Sequence, residues 1–294
     1  MSTSSAETPA PTLSVVVASN GAAGSVERCL AALAGQLEGA EVLVCEPTPS
    51  AEETRRRFPF ATWHVRDGAL VPELWHDGIS EARGELVALT ISPMVPAEDW
   101  VDSLRASLAT CDAVGGAIEP APGLRLGDLA EYLCRYSRDM LPFGERSTID
   151  LPGDNAGYRR RRLLEVEDTW TNGFWEPDVH RALAARGAAL RHDPAVLVRM
   201  GRSAGVTAFV RQRFLHGREF GRSRGRGATA AGNVSRVVLA PVVPCVLLAR
   251  TAREVVARRR LRARLAACAP ILLAFDLSWA AGEALGHLDA LRGR

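Results

Sequence analysis

The chain has 294 residues, an apolar content of 47% and a formal net charge of +2, which excludes wholesale disorder and leaves room for a full core plus an appendage. The small net charge hides an asymmetry: residues 1–198 hold 18 Arg against 29 Asp and Glu, residues 199–294 hold 18 Arg against 5, and lysine is absent. An acidic body with a basic tail directs the tail toward something anionic, either nucleic acid or an anionic lipid surface.

Residues 1–12, MSTSSAETPAPT, have neither a basic n-region nor an apolar h-region and read as a short disordered lead rather than a signal peptide. Leu13–Ser19 (LSVVVAS) is a short β-branched run of the kind buried on both faces of a sheet. Ser25 is placed to cap a helix whose apolar residues Val26, Leu30, Leu33 and Leu37 share a face. Ala40–Pro47 (AEVLVCEP) is a second buried strand ending in the carboxylate of Glu46, and ATWHV a third. A helix over Val71–Ala82 leads into a strand over Glu85–Thr90, then a loop, Ile91-Ser92-Pro93-Met94, and a helix from near Pro96. CDAVGGAIEP predicts a further strand, with its two glycines allowing close backbone approach. Alternation of this kind predicts a mostly parallel, doubly wound α/β sheet, and such sheets bind ligands beyond the carboxyl ends of their strands. Asn20, Glu46 and Ser92 fall at that edge.

The next stretch reads as a helix over Asp128–Met140 and a loop. LPGDNAGYRRRRLLEV begins as turn and strand and becomes a helix. FWEPDVHRALAARGAALRHDPAVLVRM reads as a capped helix, a stop at Gly187 and a return strand. FVRQRFLHGREFGRSRGRG is a basic, partly amphipathic helix. Two apolar runs close the chain. Val237–Ala249 contains Pro241 and Pro244, and Leu265–Gly282 is broken by Pro270 and Asp276. Both fall short of the about 20 apolar residues a spanning helix needs, so interfacial or re-entrant helices are expected. RTAREVVARRRLRAR between them carries seven arginines, a pattern that suits the anionic cytoplasmic leaflet. The six cysteines, Cys29, Cys45, Cys111, Cys134, Cys245 and Cys268, show no CxxC or zinc-type spacing and read as buried, reduced thiols of a cytosolic protein.

The order of these elements resembles family 2 glycosyltransferases of the GT-A fold over roughly residues 12–230. LSVVVASNG stands where that family has its opening strand and nucleotide-contacting loop, and EVLVCEP where an acid contacts the base or ribose. HDGISEARGELVALT resembles the helix and strand leading to the DxD motif. DNAGYRRRRLLEV resembles the acceptor-side segment, and WEPDVHRALAARG the segment carrying the catalytic base. RQRFLHGREFGR resembles the basic segment that follows the core. The expected fold is therefore a Rossmann-like GT-A domain over residues 13–200, followed by a basic, apolar helical region over 201–294.

The resemblance implies a nucleotide site at Ser19, Asn20, Glu46 and Ser92, and a base at Glu176, with Asp178 two residues on. Inverting transfer needs one carboxylate to take the proton of the acceptor hydroxyl. Pro177 at a helix start makes Glu176 equally a stabilising acid near a helix N-terminus, and the two roles are compatible. Asn155, Trp175 and His180 are the acceptor-side candidates. Asp154 also precedes the acceptor strand, and Trp170 and Phe174 extend an aromatic cluster that suits either sugar stacking or core.

By spacing, Ile91-Ser92-Pro93 occupies the DxD place without a carboxylate. A hard cation such as Mg²⁺ or Mn²⁺ needs oxygen ligands, so the usual metal site is absent and no cofactor is expected, with a divalent metal left open only on other ligands. Arginine can neutralise a diphosphate instead, with Arg159–Arg162, Arg211, Arg213 and Arg218 as candidates. The first run reads more readily as a solvated helix start, and the others as lipid-headgroup contacts. The sequence thus leads to a membrane-associated transferase that moves sugar from a nucleotide donor to a lipid-linked or cell-envelope acceptor. The alternative is a catalytically degenerate relative that serves an active transferase as scaffold or partner. A nucleic-acid role lacks any recognised module.

Overall fold

The computed structural model describes residues 10–19, 22 and 24–293. Most of the expected N-terminal lead, and Asn20, therefore lie outside the described residues. In chain order the elements are β1 (Leu13–Ala18), α1 (Ser25–Leu33), β2 (Ala40–Glu46), α2 (Glu52–Arg57), β3 (Ala61–Val65), α3 (Val71–Glu81), β4 (Leu86–Ile91), β5 (Met94–Pro96), α4 (Trp100–Leu108) and β6 (Ala113–Pro120). There follow α5 (Leu126–Tyr136), β7 (Arg146–Ser147), β8 (Asn155–Arg159), α6 (Arg160–Leu164), α7 (Glu176–Ala185), β9 (Leu190–Met200), α8 (Val206–Arg226), α9 (Ala230–Leu239), α10 (Val243–Ala257) and α11 (Arg262–Leu291). They form two compact units. The first holds the chain up to Glu119 together with Leu141–Gly201, and the second holds Pro120–Met140 and the chain from Arg202 on.

The first unit is built on one sheet with strand order β3-β2-β1-β4-β8-β6-β9-β5, β7 pairing with β9. Strands β3, β2, β1 and β4 are mutually parallel, the α/β GT-A arrangement expected, while β8 runs antiparallel to both β4 and β6. All six residues of β1 are buried, as a strand covered on both faces requires. Register aligns Ala18 with both Cys45 and Ile91, so β1, β2 and β4 end level and Ser19, Glu46 and Ser92 share one edge. The glycine pair in β6 has the predicted purpose: a Cβ on Gly116 would fall 1.9 Å from the Val196 carbonyl oxygen.

One local expectation is corrected. The chain does not pass from the Ser92-Pro93 turn into a helix near Pro96. It forms β5, whose residues Met94–Pro96 pair antiparallel with Val198–Met200 at the sheet edge. An edge strand tolerates a proline, which has no N–H to give. The helix begins instead at Trp100, which is fully buried and donates its indole N–H to Asn155 Oδ1 at 2.8 Å.

The second unit is helical. The apolar helices run further than the apolar stretches that mark them, because the prolines do not end them. Pro241 and Pro244 sit in first turns, where the missing N–H costs nothing, and Pro270 lies inside α11. Two continuous stretches result, Ala230–Ala257 and Arg262–Leu291, each long and apolar enough to cross a membrane by length and composition. Helices α8 and α11 touch backbone to backbone. A Cβ on Gly217, Gly221, Gly282 or Gly286 would fall within 2.1–2.4 Å of a carbonyl oxygen of the facing helix. Of the six free cysteines, Cys245 is exposed on α10 and Cys134 half-buried, and only the other four are buried as expected.

Candidate active site

Ser19, Glu46 and Ser92 do meet at the carboxyl edge of the parallel strands, but their polar atoms are largely engaged there. The Ser19 N–H donates to the Cys45 carbonyl at 2.8 Å and the Ser92 N–H to Ala18 at 2.9 Å. Ser92 is fully buried, its hydroxyl 2.9 Å from that of Ser25, which in turn donates to the Ala22 carbonyl at 2.5 Å. Glu46 is also fully buried. Its carboxylate accepts from the Ser50 N–H at 2.9 Å, from the Ser50 hydroxyl at 2.6 Å and from the Arg55 guanidinium. Arg55 lies over the Trp63 ring, 5.3 Å from its centroid. Glu46 thereby organises the connection from β2 into α2.

Across β4, Thr90 pairs with Asn155, and the Thr90 hydroxyl donates to the Asp154 carbonyl at 3.0 Å. Asn155 is fully buried and spends both amide hydrogens, on Ala117 and Val196 carbonyls at 2.9 Å each, besides accepting from Trp100. It braces β8 against β6 and β9. Two residues before Asn155, Gly153 leaves room for Glu176: a Cβ there would stand 2.3 Å from Glu176 Cγ and Oε1. Glu176 opens α7 directly after Trp175, which stands half-buried at the N-cap. Thr90, two residues before Ser92 on β4, is bonded to Asp154, and the adjoining Gly153 touches Glu176, which ties this part of β4 to the start of α7.

The remaining acceptor-side and aromatic residues lie deeper. Trp170 and Phe174 are core: the Trp170 indole donates to the Leu163 carbonyl at 3.1 Å, and Phe174 packs edge-on against Trp75 and Tyr158. His180 is buried, stacked on Tyr158 with Nε2 2.8 Å from its hydroxyl. Burial pushes the His180 pKa down to about 4, against a smaller opposing pull from Asp150. Burial, and then the charge of Glu176, hold the Tyr158 phenol well above its ordinary range, which places Glu176 within electrostatic reach of this pair. Asp178 faces solvent and is paired with Arg181.

The residues that the resemblance sets at the DxD place offer little to a divalent cation. Ile91 and Pro93 offer no side-chain oxygen, and the one Ser92 hydroxyl is buried against Ser25. Among the described residues no three His, Cys, Asp or Glu side chains come together in a way that could hold a metal ion.

The first run of arginines offered as diphosphate candidates lies at the other end of the sheet. Arg159 is in register with Leu86, the first residue of β4, so the run Arg159–Arg162 starts at the opposite edge of the sheet. There Arg159 donates to the Cys111 carbonyl at 3.1 Å, and Arg162 pairs with Asp112 at 3.0 Å. Arg213 and Arg218 pair with Asp276 and Asp289 inside the second unit. A different arginine stands beside the Ser92-Pro93 turn. Arg28, one turn into α1, is exposed, with its Nη1 3.2 Å from where a Gly24 Cβ would be and its Nε 4.0 Å from a Cβ on Gly201. Gly201 in turn donates its N–H to the Pro93 carbonyl at 2.7 Å. Arg28 and Gly153 were not singled out from sequence. The available signal was weak: a cation in the first turns of the helix after β1, and a glycine just before the acceptor strand.

No family model matches the chain, and no curated protein does. Solved structures do. A mannosyltransferase from Pyrobaculum calidifontis, PcManGT, in complex with GDP-Man and Mn²⁺, aligns with a TM-score of 0.57 at 18% identity, covering 95% of this chain and 87% of that one. GalNAc-T7 with UDP, GalNAc and Mn²⁺ aligns with a TM-score of 0.50 at 12% identity, covering 66% of this chain but only 44% of that one. At such identities the likeness speaks for the fold, a glycosyltransferase architecture of the GT-A type.

Proposed function

We propose that this protein is an inverting glycosyltransferase that moves a sugar from a nucleotide-sugar to a lipid-linked or cell-envelope acceptor at the cytoplasmic face of a membrane, without a divalent metal. The observation that carries the reading is the position of Glu176. It opens α7, lies over Gly153, and connects through Asp154 and Thr90 to the edge where β1, β2 and β4 end.

In this reading the Glu176 carboxylate takes the proton of the acceptor hydroxyl. The acceptor oxygen attacks the anomeric carbon from the face opposite the diphosphate, the bond from that carbon to the phosphate oxygen breaks, and nucleoside diphosphate leaves. Charge develops on the leaving oxygen, and a fixed cation there lowers the barrier. Arg28 supplies that cation beside the N-terminus of α1, whose dipole has the same sign. Ser19 and Ser92 shape the nucleotide side, with Glu46 holding the connection below them, and Trp175 offers a half-buried ring to the acceptor side. The apolar helices and the arginine-rich tail support a membrane setting and hence a lipid-linked acceptor.

The experiment is sugar transfer by membranes from cells expressing wild type or Glu176→Gln, across a panel of nucleotide-sugars and lipid phosphate acceptors, with and without Mn²⁺. Transfer by wild type that the variant lacks, unchanged by chelation, supports the reading. Equal transfer by both removes Glu176 from the mechanism.

The second reading, a degenerate partner of an active transferase, is favoured by one observation. Glu46 and Ser92, at the places where the family keeps nucleotide and metal ligands, are both buried and hydrogen-bonded inward. Absence of transfer by wild type throughout the panel would support it.

A further inference from the structure

Helix α8 carries six arginines, Arg211, Arg213, Arg218, Arg222, Arg224 and Arg226. It lies along α11 for most of its length. Phe209 stacks edge-on to Phe275, Ser278 donates to the Val210 carbonyl at 2.7 Å, and Gly282 and Gly286 meet the Phe214 and Arg218 carbonyls. Further on, Arg218 pairs with Asp289 at 2.7 Å, and Gly225 faces Ala290. A helix with six arginines does not enter hydrocarbon, because each would have to shed its hydration there. The part of α11 it covers, Phe275–Ala290, is therefore held out as well. What remains, Arg262–Ala274, is shorter than the about 20 residues a span requires.

The stretch through α9 and α10 is tied to the same charged layer at both ends. Near its start, Asn233 donates to the Gly225 carbonyl of α8 at 3.1 Å and contacts His287 of α11 at 2.9 Å. Just past its end, Arg258 donates to the carbonyls of Arg138 and, at 2.6 Å, Met140, on the segment that follows α5. A helix fastened to the second unit at both ends lies along that unit and does not leave it to cross a bilayer. Yet its outer face is apolar. Val234, Val238, Val242 and Val246 recur every fourth residue and are 51%, 71%, 54% and 58% exposed, with Leu239 beside them at 59%. Beyond this stripe stand the exposed Arg250, Arg253, Arg259, Arg262 and Arg264. Residues 199–294 as a whole carry 18 Arg against 5 acids.

The geometry points to an in-plane membrane anchor. The stretch Ala230–Ala257 lies in the headgroup boundary of an anionic bilayer with its valine stripe in the acyl region and the arginines at the phosphates, and neither C-terminal helix crosses. A helix of this kind combines apolar burial with attraction to anionic lipid. Two copies joined through the stripe would cover the valines, but would bring two blocks of arginine onto one assembly with nothing to neutralise them. The assignment extends the membrane part of the proposed function and does not depend on the transfer chemistry.

Two measurements on the full chain test it. In flotation with vesicles of phosphatidylcholine, alone or mixed with phosphatidylglycerol, wild type should float with the anionic vesicles only. The triple variant V238S/V242S/V246S should lose at least about tenfold in vesicle affinity, since three apolar side chains no longer enter the acyl region, with its helical circular dichroism and melting unchanged. Flotation unaffected by the variant overturns the assignment. So does a wild-type dimer that the variant converts to monomer without any vesicle binding. The second measurement is sidedness. In a Cys245→Ser background, Gly227→Cys and Arg262→Cys are labelled separately with a membrane-impermeant maleimide in sealed vesicles of each orientation. Both should react from the same side, and reaction from opposite sides would establish a span. Transfer to a soluble acceptor analogue is assayed in parallel, so that loss of anchoring with retained transfer counts against the anchor alone.

Discussion

Gly153 holds the floor on which Glu176 rests: a Cβ at 153 would stand 2.3 Å from both Cγ and Oε1 of Glu176. The glycine precedes Asp154 and β8, and the glutamate opens α7, so two segments distant in sequence are fitted to each other at one atom. Glycine is required here for space, since its φ is not in the left-handed region.

Gly153→Ala should therefore displace the Glu176 carboxylate while leaving the nucleotide edge intact. A misplacement of about 1 Å costs on the order of a hundredfold in rate. The expected result is a fall of that order in turnover with nucleotide affinity unchanged, read by single-turnover transfer beside calorimetric titration of nucleoside diphosphate. Full activity in this variant would mean that the close approach is packing alone.

Glu176→Gln keeps the volume and removes the base of the proposed mechanism. Loss of a general base costs about a hundred- to ten-thousandfold in rate. An acid near a helix N-terminus contributes about 0.3–1 kcal/mol, so the melting temperature should shift by a few degrees at most. The two variants separate geometry from chemistry. A pH profile of the residual Gly153→Ala activity should keep the carboxylate limb of wild type, whereas Glu176→Gln should lose it.

The strands of the first unit were legible because strands buried on both faces are written in short apolar runs. β1 in particular, with all six residues buried, occupies Leu13–Ala18 within the run LSVVVAS. β5 was not legible. Three residues that include Pro96 carry no periodicity, and only their pairing with Val198–Met200 makes them a strand. The site was legible as an edge and not as a set of ligands. The strand pattern sets Asn20, Glu46 and Ser92 at that edge and the resemblance adds Ser19, but neither reveals that Ser50 and Arg55 turn inward to occupy Glu46, or that Ser25 does the same for Ser92. Asn155 and His180 show the same limit: a polar residue in the right motif can serve the core, as their partners Trp100 and Tyr158 show. In the tail, the prolines read as breaks because their positions within helical turns depend on where each helix starts.

His180 makes stability depend on pH. Burial lowers its pKa from the usual 6.5 to about 4, so between those values the unfolded chain binds a proton that the folded chain does not. Its contribution is complete above pH 6.5 and is lost as pH falls through the window toward 4. At roughly 1.4 kcal/mol per unit the full effect is on the order of 3 kcal/mol. Denaturant unfolding of wild type at pH 7 and pH 5 should show the loss, and His180→Gln should flatten that difference even if it lowers stability at both. An unchanged slope in the variant would assign the acid sensitivity to other groups.

In the proposed function the exposed Arg28, beside the Ser92-Pro93 turn, meets the diphosphate at an edge whose carboxylate, Glu46, is buried against Ser50 and Arg55. A charged hydrogen bond to phosphate contributes about 1.5–3 kcal/mol, which is roughly ten- to a hundredfold in affinity. Arg28→Ala should weaken binding of UDP or GDP by that factor, and Arg28→Lys should recover part of it, because a point charge replaces a planar fork. Uridine or guanosine, without phosphates, should bind wild type and both variants alike. Chelation should leave all of these affinities unchanged. If EDTA abolishes binding to wild type, a metal is present and another carboxylate, such as Glu119 or Asp154, holds it. If binding is chelator-insensitive and Arg28→Ala is silent, the phosphates lie away from α1 and the nucleotide sits differently from the placement proposed here.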